Sequence, residues 1–131
     1  MDFRDTAAEA AFRAQLREWY QANFDPSSVP SAGRPDADHL RAWSRTLYDG
    51  GYVGLTWPKE YGGSGLSPSY QAIYFEEMVR AQAPEHIGVI GLNMAGPTIM
   101  AWGTHEQKER FLPKLLSGEE IWCQGFSEPG G

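Results

Sequence analysis

The sequence predicts an all-α domain that ends in one β-strand. Two capping boxes, Thr6 to Glu9 and Thr104 to Gln107, mark helix starts near the two ends of the chain, because in each the hydroxyl and the fourth side chain satisfy N–H groups of the first turn. Ser67-Pro68 marks another start, with proline at the first helical position. The helical period ends near residue 120, and the β-forming run Ile121 to Phe126 follows.

About five helices are expected, each with an apolar stripe and a recognisable start or stop. Glycines after Asp49 and at Gly103 end the second and fourth helices. Pro97 is expected to kink or restart the fourth helix, and Pro113 to end the fifth before one last turn. The first helix is expected to start at Thr6, the second to run from about Asp36 to Asp49 and the third from Ser67-Pro68 to about Gln82. The fourth should include the apolar segment after Pro84 and end at Trp102, and the fifth should run from Glu106 to Leu112.

Composition and charge exclude several classes of function. The 131 residues suit one domain, and a net charge of −6 argues against non-specific binding to nucleic acid, which needs a basic surface. Cys123 is the single cysteine, so an intrachain disulfide is excluded, which fits a reducing cytoplasm. Its side chain is interpreted as a buried thiol. The longest apolar stretch, Ile87 to Trp102, is too interrupted to span a membrane, and the first residues carry no signal-peptide core. A cytoplasmic location is expected.

Few side chains offer catalytic or metal-binding chemistry. His39, His86 and His105 lie on different expected elements without acidic ligands at metal spacing, so each is interpreted as a surface or capping residue. Glu76 and Glu77 are neighbours on a helix, where adjacent side chains point about 100° apart. A solvated or capping role is therefore favoured for this pair over acid–base catalysis. No metal site is predicted.

The end of the chain offers a candidate binding site. A strand that ends in Ser-Glu-Pro-Gly can present backbone N–H groups and a hydroxyl to a polar, planar or anionic ligand, although a plain strand end is the simpler interpretation. Trp122 to Gly130 resembles the flavin-contacting signature of the acyl-CoA dehydrogenases. Gly103 to Gly118 resembles a second signature of that family, and the Trp-Pro-x-x-Tyr-Gly-Gly-x-Gly turn at Trp57 resembles a recurring turn of its N-terminal domains.

The resemblance implies a domain organisation and a set of site residues. Residues 1–120 would form the N-terminal helical domain of the family, and residues 121–131 the first strand and turn of its middle β-domain. The implied cofactor is FAD, contacted by Gln124, Phe126 and Ser127. The implied acyl-pocket residues are Ile87, Ile90, Gly91 and Met94.

The implied reaction is the α,β-dehydrogenation of an acyl-CoA thioester. In the family a glutamate base comes from a C-terminal domain that this chain lacks, so no catalytic residue is expected here and the chain alone is expected to be inactive. An electron-transfer flavoprotein and further subunits of a homo- or hetero-oligomer are the implied partners. Two alternatives stay open: a non-catalytic truncated fragment or helper subunit, and a relative of the acyl-CoA oxidase type. Ile90 and Met94 are compatible with fatty, branched or steroid-side-chain acyl groups.

Overall fold

The described part of the chain is helical, as predicted. The computed structural model describes residues 4–29, 36–127 and 129. Two short 3₁₀ turns, Pro26–Ser28 and Lys59–Tyr61, lie between helices, and a π-helical segment, Gly91–Ala95, leads directly into the fourth helix. The α-helices of this part are α1 (Ala7–Asn23), α2 (Ala37–Asp49), α3 (Pro68–Ala81), α4 (Gly96–Trp102) and α5 (His105–Ser117).

The two capping boxes start their helices as predicted. The Thr6 N–H donates to Glu9 Oε2 at 2.8 Å, and the Glu9 N–H donates to Thr6 Oγ1 at 3.3 Å. The same pair of bonds joins Thr104 and Gln107, at 2.8 and 3.3 Å. Each box satisfies two N–H groups that a helix start would otherwise leave without partners.

The prediction that Pro113 ends the fifth helix was wrong. Helix α5 continues through Pro113 to Ser117 and ends at Gly118, which has a φ of 74°. A proline inside a helix removes one donor, but the two turns around it bury Leu112, Leu115 and Leu116, each only 1% exposed. Burying a leucine contributes about 1.5–3 kcal/mol, so packing on this face offsets the lost hydrogen bond.

The strand predicted over Ile121–Phe126 does not form. Residues 121–127 are extended or irregular, and the last backbone hydrogen bond of the described chain runs from the Glu120 N–H to the Lys114 carbonyl at 3.2 Å. The β-forming composition is present, but a strand also needs a neighbour to pair with, and the described residues provide none. The turn predicted after it includes Glu128, Gly130 and Gly131, which lie outside the described residues.

The core lies where α1 packs on α3 and where α2 and α4 pack on α5. The loop after α2 passes through it, with Leu55 and Trp57 1% and 6% exposed. Aromatic rings fill the space between α1 and α2, where Trp19 lies 4.8 Å from Tyr52 and 5.8 Å from Trp43 between ring centroids. None of the helices in the described residues has the length and apolar character needed to cross a membrane.

Candidate functional site

An open groove lies between the π-helical segment and the chain that follows α5. Its volume is about 280 Å³, and its lining includes Ile90, Met94, Trp122 and Gln124. Ile90 and Met94 are 38% and 50% exposed, so both side chains remain accessible on one wall. The groove therefore brings two predicted acyl-pocket residues and one predicted flavin contact together.

The first wall owes its shape to Pro97 and two glycines. Proline supplies no N–H, and just before it the helix widens into a π turn in which the Gly96 N–H donates to the Gly91 carbonyl. A Cβ on Gly96 would lie 2.3 Å from Trp57 Cζ2, and one on Gly91 would lie 2.8 Å from Leu115 Cδ2. Only glycine permits these approaches, and they press the inner side of the segment onto the core. Pro97 restarts the helix, as predicted.

The second wall is the chain after Glu120, which has no regular secondary structure over residues 121–127. Trp122 is half-buried and meets Phe111 edge to face, with ring centroids 5.2 Å apart. Within residues 121–127 no backbone N–H or carbonyl takes part in a backbone hydrogen bond with another described residue. With no backbone partner in the described part of the chain, these groups could bind a neighbouring strand or a ligand.

Cys123 is exposed on this wall, so the interpretation as a buried thiol was wrong. It lies in the groove lining together with its neighbours Trp122 and Gln124.

The other predicted site residues lie outside the groove lining. Ile87 is half-buried in the turn before the π-helical segment, and its N–H donates to Ser44 Oγ at 2.8 Å. Gly91 is buried with its Cα toward Leu115. Phe126 and Ser127 are exposed at the end of the described chain.

His86 is buried behind the first wall, where the sequence had suggested a surface or capping position. It is 6% exposed; the Gly88 N–H donates to its Nδ1 at 2.9 Å, and its Nε2 lies 3.2 Å from the Leu116 carbonyl. An acceptor at Nδ1 requires the proton on Nε2, so the ring is neutral and Nε2 donates. Burial lowers the pKa of His86 to about 4 and favours the same neutral form. His86 does cap a backbone N–H, but inside the core.

Glu77 is also buried, contrary to the solvated or helix-capping role predicted for it. Its side chain is 2% exposed, and it accepts hydrogen bonds from Arg17 at 2.7 and 2.8 Å, from Arg13 at 3.0 Å and from Arg80 at 2.9 Å. These bonds, the pair from Arg17 above all, lower the pKa of Glu77 to about 2. Arg13 and Arg17 lie one helical turn apart on α1, a spacing that indicates a shared face for an acidic partner without showing where in the chain that partner lies.

The remaining polar candidates lie apart from the groove. His39 is half-buried at the start of α2, and His105 is exposed and lies 3.2 Å from Glu109. Among the residues described, no group of three His, Cys, Asp or Glu side chains is placed to hold a metal ion. The described residues that line the groove carry no carboxylate.

Comparison with known proteins identifies the family. The model of the acyl-CoA dehydrogenase N-terminal domain matches residues 6–119. Acyl-CoA dehydrogenase IpdE1 of Mycolicibacterium smegmatis is 42% identical over 125 residues, covering 90% of this chain and 32% of that protein. Acyl-CoA dehydrogenase FadE26 of Mycobacterium tuberculosis is 46% identical over 130 residues, covering 95% and 32%.

Solved structures agree with the sequence comparison. The ChsE4–ChsE5 complex of Mycobacterium tuberculosis matches with a TM-score of 0.80 and 33% identity, over 99% of this chain and 33% of that one. The Tcur3481–Tcur3483 steroid ACAD matches with a TM-score of 0.79 and 35% identity, over 100% and 34%. The chain spans about a third of the length of the relatives it matches. On the family model and these identities, the chain belongs to the acyl-CoA dehydrogenase family.

Proposed function

We propose that this chain is the N-terminal helical domain, with the first segment of the next domain, of a flavin-dependent acyl-CoA dehydrogenase. The observation that carries the proposal is the groove in which Ile90 and Met94 face Trp122 and Gln124. Accessible apolar side chains on one wall suit an acyl group, and an amide beside unpaired backbone groups suits a polar, planar ring. The division at residues 120 and 121 stays a prediction.

The described residues fit one part of a flavin site. The amide of Gln124 and the backbone groups of residues 121–127 are free to make hydrogen bonds, and the ring of Phe126 is 76% exposed. In the complete site, Gln124 and Ser127 would orient the ring, and Phe126 would cover it from water. When bound, FAD supplies the acceptor for the hydride of the dehydrogenation.

The chain's own contribution to the reaction is to position the substrate and to exclude water. Ile90 and Met94 would hold the acyl group beside the second wall, so that the reacting carbons are oriented before chemistry begins. The described residues of the lining carry no carboxylate, so we expect the base that removes the α-proton to come from another part of the enzyme. A non-catalytic helper subunit would have the same groove, and activity of the intact protein distinguishes the two.

The substrate and the partners are proposed by analogy with the relatives. The similar structures include the Tcur3481–Tcur3483 steroid ACAD (acyl-CoA dehydrogenase) and the ChsE4–ChsE5 complex, which contains two different chains. They support a bulky, steroid-type acyl-CoA substrate and a hetero-oligomer, and the open side of the groove leaves room for such a group. An electron-transfer flavoprotein as electron acceptor and a cytoplasmic location stay predictions.

The test places a large side chain in the groove of the intact protein, purified with its partner subunit if it has one. Met94→Trp should lower the kcat/KM for a steroid-type acyl-CoA by at least about tenfold, because the indole occupies the space of the acyl group. Val79→Trp is the matched control, since Val79 is 70% exposed on α3 and lies outside the groove lining. Equal activity of both variants and the parent would contradict the proposal.

Ser127 tests the flavin contact separately. Ser127→Ala should slow flavin reduction by about tenfold and weaken FAD retention, since it removes one hydrogen bond of about 0.5–1.5 kcal/mol, while Ser127→Thr keeps the hydroxyl and should change little. Rapid mixing of the intact protein with substrate at saturating FAD gives the rates. If the alanine variant matches the parent and the threonine variant is impaired, the position is governed by side-chain volume and the hydrogen bond is not made.

A further inference from the structure

The two walls of the groove are linked from behind by His86. One ring nitrogen accepts the Gly88 N–H, and the Gly88 carbonyl accepts the first helical bond of the π-helical region, from the Leu92 N–H at 2.9 Å. The other ring nitrogen donates to Leu116 at the end of α5, from which the chain continues to Trp122. The ring therefore contacts the start of one wall and the origin of the other.

Other contacts show how close the two walls lie. A Cβ on Gly91 would meet Leu115 at 2.8 Å and Trp122 Cβ at 3.8 Å, so both walls approach each other at that residue. These contacts are apolar, and apolar contacts allow sliding because they have no preferred direction. The hydrogen bonds of His86 are directional and buried, so they restrict the spacing of the two walls more than the apolar contacts do.

We propose that His86 is a positioning residue that sets the width of the groove by tying the segment bearing Ile90 and Met94 to the end of α5. The proposal rests on the proposed function only in taking this groove as the acyl site. It assigns His86 no contact with substrate or cofactor. The bond from Nε2 to Leu116 makes the tie, because His86 is already joined to the π-helical segment through its own backbone, and the bond from Gly88 to Nδ1 holds the neutral ring in the orientation from which Nε2 donates.

Two substitutions separate the two ends of the ring. His86→Asn places an amide near Nδ1 and keeps the acceptor for Gly88, but it does not reach Leu116. His86→Gln places an amide near Nε2 and keeps the donor to Leu116, but it loses the bond from Gly88. Each variant gives up one hydrogen bond, so a purely structural role predicts similar losses of stability and similar kinetics for both. His105→Asn and His105→Gln are matched controls at an exposed histidine.

The width of the groove is measured without reference to activity. Nitroxides on Cys123 and on Thr98→Cys, both in the groove lining, report the separation of the walls by dipolar broadening in the intact protein, with other cysteines replaced by serine. We expect a broader and longer distribution in His86→Asn and an almost unchanged one in His86→Gln. The KM for acyl-CoA should rise about tenfold in the asparagine variant and less than about threefold in the glutamine variant.

The outcomes separate this inference from the proposed function. An unchanged distance in both variants, or equal changes in both, overturns the positioning role even if the enzyme dehydrogenates acyl-CoA. A protein that oxidises no acyl-CoA refutes the proposed function, while the nitroxide distances still decide the role of His86. Histidine ¹⁵N spectra supply a second check, because a proton on Nδ1 in place of Nε2 would contradict the hydrogen-bond pattern on which the role depends.

Discussion

Two regions of this domain bury polar side chains in opposite ways. Between α1 and α3, Glu77 is buried as a carboxylate and is neutralised by three guanidinium groups. Between α2, α5 and the loop before the π-helical segment, His86 and Ser44 are buried without charge. Ser44 Oγ donates to the Leu40 carbonyl at 2.7 Å and accepts the Ile87 N–H at 2.8 Å.

The difference lies in redundancy. Glu77 has three arginine partners, whose side chains are 19%, 43% and 54% exposed, so water can replace any one of them. His86 and Ser44 are 6% and 0% exposed, and each of their hydrogen bonds is made once. We infer that the charged cluster tolerates loss of an arginine but not of the glutamate, whereas the neutral cluster tolerates no single loss well.

Loss of the central carboxylate should have the largest effect. Glu77→Gln leaves three converging guanidiniums without their shared anion, and breaking a buried ion pair costs about 3 kcal/mol or more. Hydrogen exchange of the α1 and α3 amides in the intact protein measures the local free energy of opening. Glu76→Gln is the control: that side chain also pairs with Arg13, at 2.7 Å, but it is 64% exposed, so its change should stay within about 1 kcal/mol. Equal effects of the two variants would contradict the central role of Glu77.

Acid should weaken the neutral cluster first. The folded pKa of His86, about 4, lies below the ordinary value of 6.5, so the unfolded chain binds a proton more readily. The contribution of neutral His86 to the free energy of unfolding is therefore fully present above pH 6.5 and falls by up to about 3 kcal/mol as the pH drops to 4. Glu77 has its pKa lowered from 4.5 to about 2, so its contribution is complete above pH 4.5 and is lost below it.

The measurement for this prediction is local opening at pH 7, 5.5 and 4.5, from hydrogen exchange corrected for intrinsic rates. Between pH 6.5 and 4.5 the amides of Gly88 and the end of α5 should lose protection while those of the α1–α3 interface keep theirs. His86→Gln should remove the pH dependence of the first set. Loss of protection at both regions in parallel would show that the two clusters are not independent.

Ser44→Ala tests the neutral cluster without a titrating group. It leaves the half-buried Ile87 N–H without this acceptor, and because a fully buried donor left unsatisfied costs about 1–3 kcal/mol, we expect a loss of about 1 kcal/mol here. Thr46→Ala is a matched control on the same helix, because the Thr46 hydroxyl donates only to the Ala42 carbonyl one turn back. The exchange rate of the Ile87 amide should rise in the first variant alone; a rise in both would point to a general loss of α2.

The sequence predicted much of the fold from local chemistry, but it did not predict which polar side chains are buried. Capping residues and the Ser67-Pro68 start specify helices through neighbours within four residues, so the sequence identified them. Whether Glu77 or His86 is buried depends on groups about 30 to 60 residues away, Leu116 for the histidine and Arg17 for the glutamate, and no local pattern records those distances. The strand at Ile121 failed for the same reason, since β-composition does not supply a partner.

The candidate site was likewise predicted only in part. Resemblance to a family pointed to Ile90, Met94 and Gln124, and the groove brings these three together. The π turn that carries two of them was missed, although Gly91, Gly96 and Pro97 together favour an irregular helix. Three side-chain contacts set its final shape, with Trp57, Leu115 and His86, and these arise only after α5 and the loop from α2 have packed.

The smallest expected effect concerns a single arginine of the charged cluster. Arg80 donates one hydrogen bond to Glu77 and is 54% exposed, so Arg80→Gln should cost only about 0.2–1 kcal/mol. Arg17 donates two bonds to the same carboxylate, and Arg17→Gln should cost more. The double variant distinguishes shared from separate contributions: if the arginines substitute for one another, its loss exceeds the sum of the two single losses. Opening free energies of α3 amides in the four proteins give the coupling. Strict additivity would mean that each guanidinium acts alone, and the tolerance we assign to the charged cluster would then have no basis.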